Sequence, residues 1–351
     1  MSTIPLYIGT TAQDENGGIL RLDFDAVSGS AGSVALAAPQ QGASFLACSK
    51  DGKFLYSIVD KMPHRGEKIS GLAAFSIEAD GNLKQINEVV VDAGLCHISL
   101  DNTGKWLLGA AYTAGSFSIW PILENGSIGT VRQTIQHEGS SADPRRQAAP
   151  HAHQTITTLD NKHIAVADLG MDKVMIYPFD DATGMIDENA ATFGQLAPGA
   201  GPRHIAFHPC GAMFVVNELD NTVTAFHKDG EKYESVQAIS TLPEGYSDGT
   251  WTAEIVLSQD AKYLYATNRG HDSIAVFEVG DNCQLTLQDI VASGPFPQHL
   301  TFSPDGKWLL CANMKGASIT IYNVNKSSGA ITEASVVDLP GNPMCLVFGG
   351  N

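Results

Sequence analysis

The chain is 351 residues long and carries 38 Asp and Glu against 21 Lys and Arg, a formal net charge of −17 that opposes a broad footprint on nucleic acid or on an anionic membrane. With 43% hydrophobic residues it can bury a large core and is not disordered, while 35 glycines and only 17% charged residues describe a turn-rich chain and not a helical one. The length alone leaves two domains, one large barrel or a repeat array open.

Residues 1–7 hold no basic segment, no sustained apolar run and no small-residue cleavage site, so no leader is expected and the protein is expected in the cytoplasm. No run of about 20 apolar residues occurs, so no membrane span is expected either. Two short apolar segments follow, Leu6-Tyr7-Ile8-Gly9 and Ile19-Leu20-Arg21-Leu22-Asp23-Phe24, with the character of strands. A turn and a β-rich run then recur. Asp51-Gly52-Lys53-Phe54-Leu55-Tyr56 is echoed by Thr103-Gly104-Lys105-Trp106-Leu107-Leu108 and by Asp160-Asn161-Lys162-His163-Ile164-Ala165. Cys210-Gly211-Ala212-Met213-Phe214-Val215, Asp260-Ala261-Lys262-Tyr263-Leu264-Tyr265 and Asp305-Gly306-Lys307-Trp308-Leu309-Leu310 continue the series. The central turn residues lie about 52, 57, 50, 50 and 45 residues apart, the period of propeller blades. No segment carries helical periodicity.

Met344-Cys345-Leu346-Val347-Phe348 has no second strand after it, and the two N-terminal segments have no such turn before them. Joined, they complete a seventh sheet. The expected fold is therefore all-β, a seven-bladed β-propeller of four-stranded antiparallel blades in one domain over residues 1–351, with one blade closed by strands from both ends. The six cysteines, Cys48, Cys96, Cys210, Cys283, Cys311 and Cys345, lie scattered without a C-x-x-C pair and are read as reduced thiols, with disulfide and zinc as the minority alternatives.

In a propeller the connections entering first strands and the loops leaving second strands share one face. The unusual polar residues fall in those two classes. Pro150-His151-Ala152-His153, Gly201-Pro202-Arg203-His204, Trp251-Thr252-Ala253-Glu254 and Phe296-Pro297-Gln298-His299 enter first strands. Ala111-Tyr112, Ala167-Asp168-Leu169-Gly170, Asn217-Glu218-Leu219-Asp220 and Asn268-Arg269-Gly270-His271-Asp272 leave second strands.

Tyr7-Ile8-Gly9-Thr10, Arg146-Gln147-Ala148-Ala149-Pro150-His151-Ala152-His153, Gly201-Pro202-Arg203-His204 with Asn217-Glu218-Leu219, and Ala253-Glu254-Ile255 with Asn268-Arg269-Gly270-His271-Asp272-Ser273-Ile274 resemble the lactonase seven-bladed propellers, a family that includes bacterial 6-phosphogluconolactonases of propeller type and fungal carboxymuconate lactonising enzymes. The resemblance spans the chain and keeps the motif order. It implies a site at His153, Arg203, Glu218 and Arg269, with His151, Asp168 and Glu254 nearby. The first four are expected to be catalytic, and His151, Glu254, Asp168, Tyr112 and His204 are expected to bind substrate. Where relatives show Pro-Arg entering the last repeat, this chain has Pro297-Gln298, one cation fewer at the rim.

The residue types suit lactone opening, which needs an activated water, an oxyanion donor and a proton for the departing ring oxygen. Glu218 or His153 is the expected base, with Arg203 and Arg269 holding an anionic substrate. In an extended strand the i, i+2 spacing would point His151 and His153 to the same face. Arg203 and Arg269 have an alternative role as tethers between blades, paired with Glu218 and Glu254, and Asp168 and Tyr112 have an architectural one. Gly245-Tyr246-Ser247-Asp248-Gly249 fits the G-x-S-x-G nucleophile elbow but leads into a strand where that motif requires a helix. His151, His153, Glu218, Glu254 and Asp168 offer a mixed ligand set for a divalent ion, against which the nearby arginines compete, so no cofactor or metal is expected. Intramolecular cyclisation of a muconate and a non-catalytic binding scaffold remain as rival functions. A small anionic lactone is the expected partner, with no nucleic acid and no membrane, and the chain is expected as a monomer or a weak homo-oligomer.

Overall fold

The computed structural model describes residues 3–11, 18–61 and 69–350. Met1 and Ser2, part of the segment read for a leader, lie outside them. Seven antiparallel sheets follow one another around a ring. Blade 1 holds Leu46–Cys48, Phe54–Lys61, Ile69–Ile77 and Leu83–Val90, from the axis outward. Blades 2 to 6 repeat this order within residues 97–136, 152–195, 202–240, 251–292 and 297–338. In blade 7 the C-terminal strand Pro343–Phe348 lies innermost and pairs antiparallel with Thr3–Thr10, Leu6 facing Phe348 and Gly9 facing Cys345. Ile19–Asp25 and then Ala35–Ala38 complete that sheet. The ring thus closes through strands from both ends, which removes the open edges a stack of sheets would present. A three-residue 3₁₀ turn at Glu188–Ala190 is the only helical element among the described residues.

The repeat motif has a packing reason. Its aromatic residue opens the second strand and lies on a hairpin glycine of the neighbouring blade: Phe54 on Gly126, Trp106 on Gly184, Tyr263 on Gly329 and Trp308 on Gly29. The indole of Trp106 also donates to Asp181 O at 2.8 Å, and that of Trp308 donates to Ala26 O at 2.9 Å across the closure. At Gly184 a Cβ would stand 2.3 Å from the Trp106 ring, and its φ of +70° is one that only glycine adopts without strain. Between blades the buried side chains merge into shared clusters; Leu6, Phe24 and Phe348 of blade 7 pack with Trp308, Leu310 and Ile321 of blade 6.

Two cysteines depart from the expectation of reduced thiols. Cys210, in the turn of blade 4, and Cys283, in a turn of blade 5, are joined as a disulfide beside His208. Residues 73 apart in sequence become neighbours because the turn between the first and second strands of blade 4 meets the turn between the third and fourth strands of blade 5. Cys48, Cys96, Cys311 and Cys345 are free, and the last two are buried.

Candidate active site

Every first strand that supplies a functional side chain carries an irregularity at the same place. In blade 3 the register slips between Ala152 and Gln154, in blade 4 between Pro202 and His204, and in blade 6 between Pro297 and His299. The extra residues are His153, Arg203 and Gln298. A bulge re-aims the side chain of its extra residue, and all three line one cavity of about 490 Å³ at the channel mouth. Blade 5 has a two-residue version at Ala253 and Glu254. Ser44 and Phe45 ahead of blade 1, Cys96 ahead of blade 2 and Met344 in blade 7 complete the wall, so all seven blades contribute.

Glu218 stands at the centre of the cluster. Arg146 donates from Nη2 to its Oε1 at 2.6 Å, Arg269 donates from Nη2 to Oε2 at 2.8 Å, and Arg203 Nε lies 3.2 Å from Oε2. His153 Nε2 approaches Oε2 to 3.8 Å. Burial pushes the carboxyl up, but Arg269, His153, Arg203 and Arg146 more than reverse this and hold it well below the usual carboxylate range. With its side chain 8% exposed, Glu218 is a permanent anion inside a ring of cations. Arg203 also donates to Ala253 O at 2.6 Å, and Arg269 to Thr252 O of its own blade at 2.9 Å; the first bond, and the bond from Arg269 to Glu218, tie blade 4 to blade 5 while both guanidiniums line the cavity. The tether and the site role coincide in the same atoms. Burial and the neighbouring Arg203 bring the pKa of Arg269 down to about 10, which leaves it charged at neutral pH.

The imidazoles form a second layer. Burial, aided by Arg203, lowers the pKa of His153 well below the usual value, and His204 is lowered in the same way. Arg203 donates from Nη1 to His204 Nε2 at 3.2 Å. A guanidinium only donates, so this nitrogen is bare and the proton sits on Nδ1, 2.8 Å from Glu254 Oε1. His97 and His299 lie in the same layer; burial lowers both, aided at His97 by the neighbouring imidazoles and opposed at His299 by Glu254.

The structure thus brings His153, Glu218, Arg203, Arg269, Tyr112 and His204 to one cavity wall. It corrects three others expected to bind substrate. Asp168 is fully enclosed: Oδ2 meets His137 Nδ1 at 2.6 Å, and Oδ1 accepts from the backbone N–H groups of His151 and Gly170. Glu254 is buried behind the wall, between His204 and His299. His151 stacks on Tyr112, ring centroids 4.4 Å apart, with its Nδ1 donating to Tyr112 O at 2.9 Å. It does not share the face of His153, because it precedes the strand and the bulge at His153 breaks the alternation on which the i, i+2 argument depends. Arg146, Cys96 and Gln298 are wall residues that no motif role had been assigned. Arg146 opens the segment that ends in His153, and Gln298 enters a first strand, so their loop class was the available signal. Cys96 donates its thiol to His153 O at 3.2 Å, and burial pushes its pKa up to about 12, which keeps it protonated and a poor nucleophile.

Ser247 of the G-x-S-x-G segment is exposed in a loop that leads into the strand Trp251–Leu257, with no helix after it. The nucleophile-elbow geometry is absent there.

The closed propeller thus gathers a buried acid, three arginines and an imidazole at one mouth. Residues 5–348 match the family model described as lactonase, 7-bladed beta-propeller, and the chain belongs to that family. It is a lactonase, a carboxylic ester hydrolase that opens cyclic esters. A 6-phosphogluconolactonase of Bacillus subtilis is 31% identical over 350 residues, covering 97% of each chain. The periplasmic gluconolactonase of Pseudomonas aeruginosa superimposes with a TM-score of 0.90 at 26% identity and 99% coverage of both chains. A protein of Lactobacillus plantarum gives the same TM-score at 28% identity and 99% coverage of both. No helix among the described residues is long and apolar enough to cross a membrane.

Proposed function

We propose that the substrate is 6-phosphogluconolactone, opened to 6-phosphogluconate in the pentose phosphate pathway. The observation that carries this is the charge count of the cavity: three guanidiniums converge on the one carboxylate of Glu218 in a chain whose net charge is −17. The surplus positive charge attracts an anionic lactone and favours the oxyanion that forms when its carbonyl is attacked. The 31% identity with the B. subtilis 6-phosphogluconolactonase supports the same choice.

His153 is the base in this reading. The imidazole is neutral and its Nδ1 has no partner, which leaves it free to take a proton from water, whereas both oxygens of Glu218 already accept from arginines. Glu218 instead stabilises the imidazolium once it forms. His153 then returns its proton to the ring oxygen as the carbon–oxygen bond breaks, so one proton is borrowed and one restored. Arg203, Arg269 and Arg146 stabilise the oxyanion. Tyr112 and His204 shape the wall. The whole chain, residues 1–351, acts as one domain in the cytoplasm, as a monomer or a weak homo-oligomer.

The test is hydrolysis of 6-phosphogluconolactone measured against the spontaneous rate, beside a carboxymuconate substrate. Turnover of the phosphorylated lactone alone is expected. A rate equal to background, or turnover of the muconate alone, would overturn the proposal.

A further inference from the structure

The rim of the cavity carries a cation that the lactone-opening machinery does not use. Lys315 lies in the loop leaving the second strand of blade 6, is exposed, and has its Nζ 4.1 Å from the centroid of the Phe296 ring. On the same ring, the guanidinium carbon of Arg269 lies at 5.4 Å. Arg269 is part of the cavity wall, so the ring links the wall to the lysine, and by these two distances the cations lie within about 10 Å of each other.

Phe296 is built in as a platform. Its φ is +61°, a conformation that a bulky non-glycine side chain adopts only when its surroundings impose it. They do so from two sides. Its backbone N–H donates to Asp272 Oδ1 at 2.8 Å, from the loop of blade 5 that follows Arg269. Its carbonyl accepts from Met314 N at 2.9 Å, next to Lys315 itself. The strained backbone thus fixes an aromatic face between two positive groups. Among the described residues Lys315 forms no ion pair, although the chain holds 38 carboxylate side chains. Two residues from Phe296 stands Gln298, whose Oε1 accepts from Arg269 at 3.4 Å and brings no charge.

We propose that Lys315, parked on Phe296 beside Arg269 of the cavity wall, is the specificity residue that reads the distal phosphate of the substrate. This rests on the reading of the substrate as a phosphorylated sugar-acid lactone. The reacting ester sits at Glu218 and His153, and the phosphate reaches past Arg269 to leave the ring face and pair with the ammonium.

The experiment compares wild type, Lys315→Ala and Lys315→Arg on 6-phosphogluconolactone and on gluconolactone, and measures by calorimetry the binding of the products 6-phosphogluconate and gluconate. Lys315→Ala is expected to raise KM for the phosphorylated lactone about tenfold, the loss of one charge-assisted contact. Its kcat should stay within about twofold and its kinetics on gluconolactone should not change, and Lys315→Arg should restore KM. Equal shifts on both lactones, or none on either, would overturn the role of Lys315. If wild type hydrolyses neither lactone, the substrate reading fails and binding decides the lysine. A preference for 6-phosphogluconate over gluconate that Lys315→Ala abolishes sustains the site, and equal binding of the two acids rejects it.

Discussion

The two faces of the propeller use the same repeat in opposite ways. On the face away from the cavity, four of the turns between first and second strands satisfy themselves: Ser49 bonds Asp51, Thr158 bonds Asp160, Ser258 bonds Asp260 and Ser303 bonds Asp305, all at 2.6 to 2.7 Å. The same hydroxyls accept from the backbone where the second strand begins, as Ser49 does from Phe54 N and Ser303 from Trp308 N. At the mouth the repeat is broken instead, by bulges at His153, Arg203 and Gln298 and by charged groups that satisfy one another only in part. His153 Nδ1, for example, is buried without a partner. Regularity builds the ring, and departures from it build the site.

The sharpest way to break this contrast is at Glu218. Replacing it with Ala leaves three guanidiniums without their shared anion, and we expect kcat/KM to fall about 10³-fold or more and stability by about 3 kcal/mol. Steady-state kinetics and denaturant unfolding measure the two; an active, stable variant would show that the cluster is not the centre of the site. His153→Ala comes next, with kcat lowered about 10²- to 10⁴-fold and the fold intact by circular dichroism. A kcat close to wild type would return the base to Glu218.

The buried imidazoles make a pH prediction. His97, His153, His204 and His299 all have folded pKa values below the unfolded value of about 6.5, so the unfolded chain takes up protons first as the solution is acidified. Their contribution is therefore intact above about pH 6.5 and lost as the pH falls from there toward the folded values, each imidazole adding a slope of up to about 1.4 kcal/mol per pH unit. Glu218, also depressed, adds its own loss only below the ordinary carboxylate value of about 4.3. Thermal unfolding from pH 7 to 5 should show a steep fall in Tm, and a flat profile would contradict the buried neutral layer. For the same reason kcat/KM should hold below the usual imidazole pKa before it declines.

The smallest effects belong to the other face. Asp51→Ala removes one self-contained turn contact, so a stability change within about 1 kcal/mol and unchanged kinetics are expected. Ser247→Ala, in the exposed loop, should leave rates intact. A large loss of activity in either variant would erase the distinction between the faces.

Much of this was legible in the sequence, for a physical reason. The turn, the aromatic and the alternating apolar strand recur because every blade meets the same neighbour in the same way, as Trp106 on Gly184 and Trp308 on Gly29 show. Period alone therefore determined the seven blades, their closure by both ends and the loop classes that hold His153, Arg203, Glu218 and Arg269. Only the tertiary structure decided which side chains reach the cavity. A bulge moves one residue out of step without changing composition, so it turned His153 inward and left His151 stacked on Tyr112. Burial closed Asp168 around His137, and the meeting of blades 4 and 5 joined Cys210 to Cys283. Those outcomes depend on contacts between residues remote in sequence, and no local pattern encodes them.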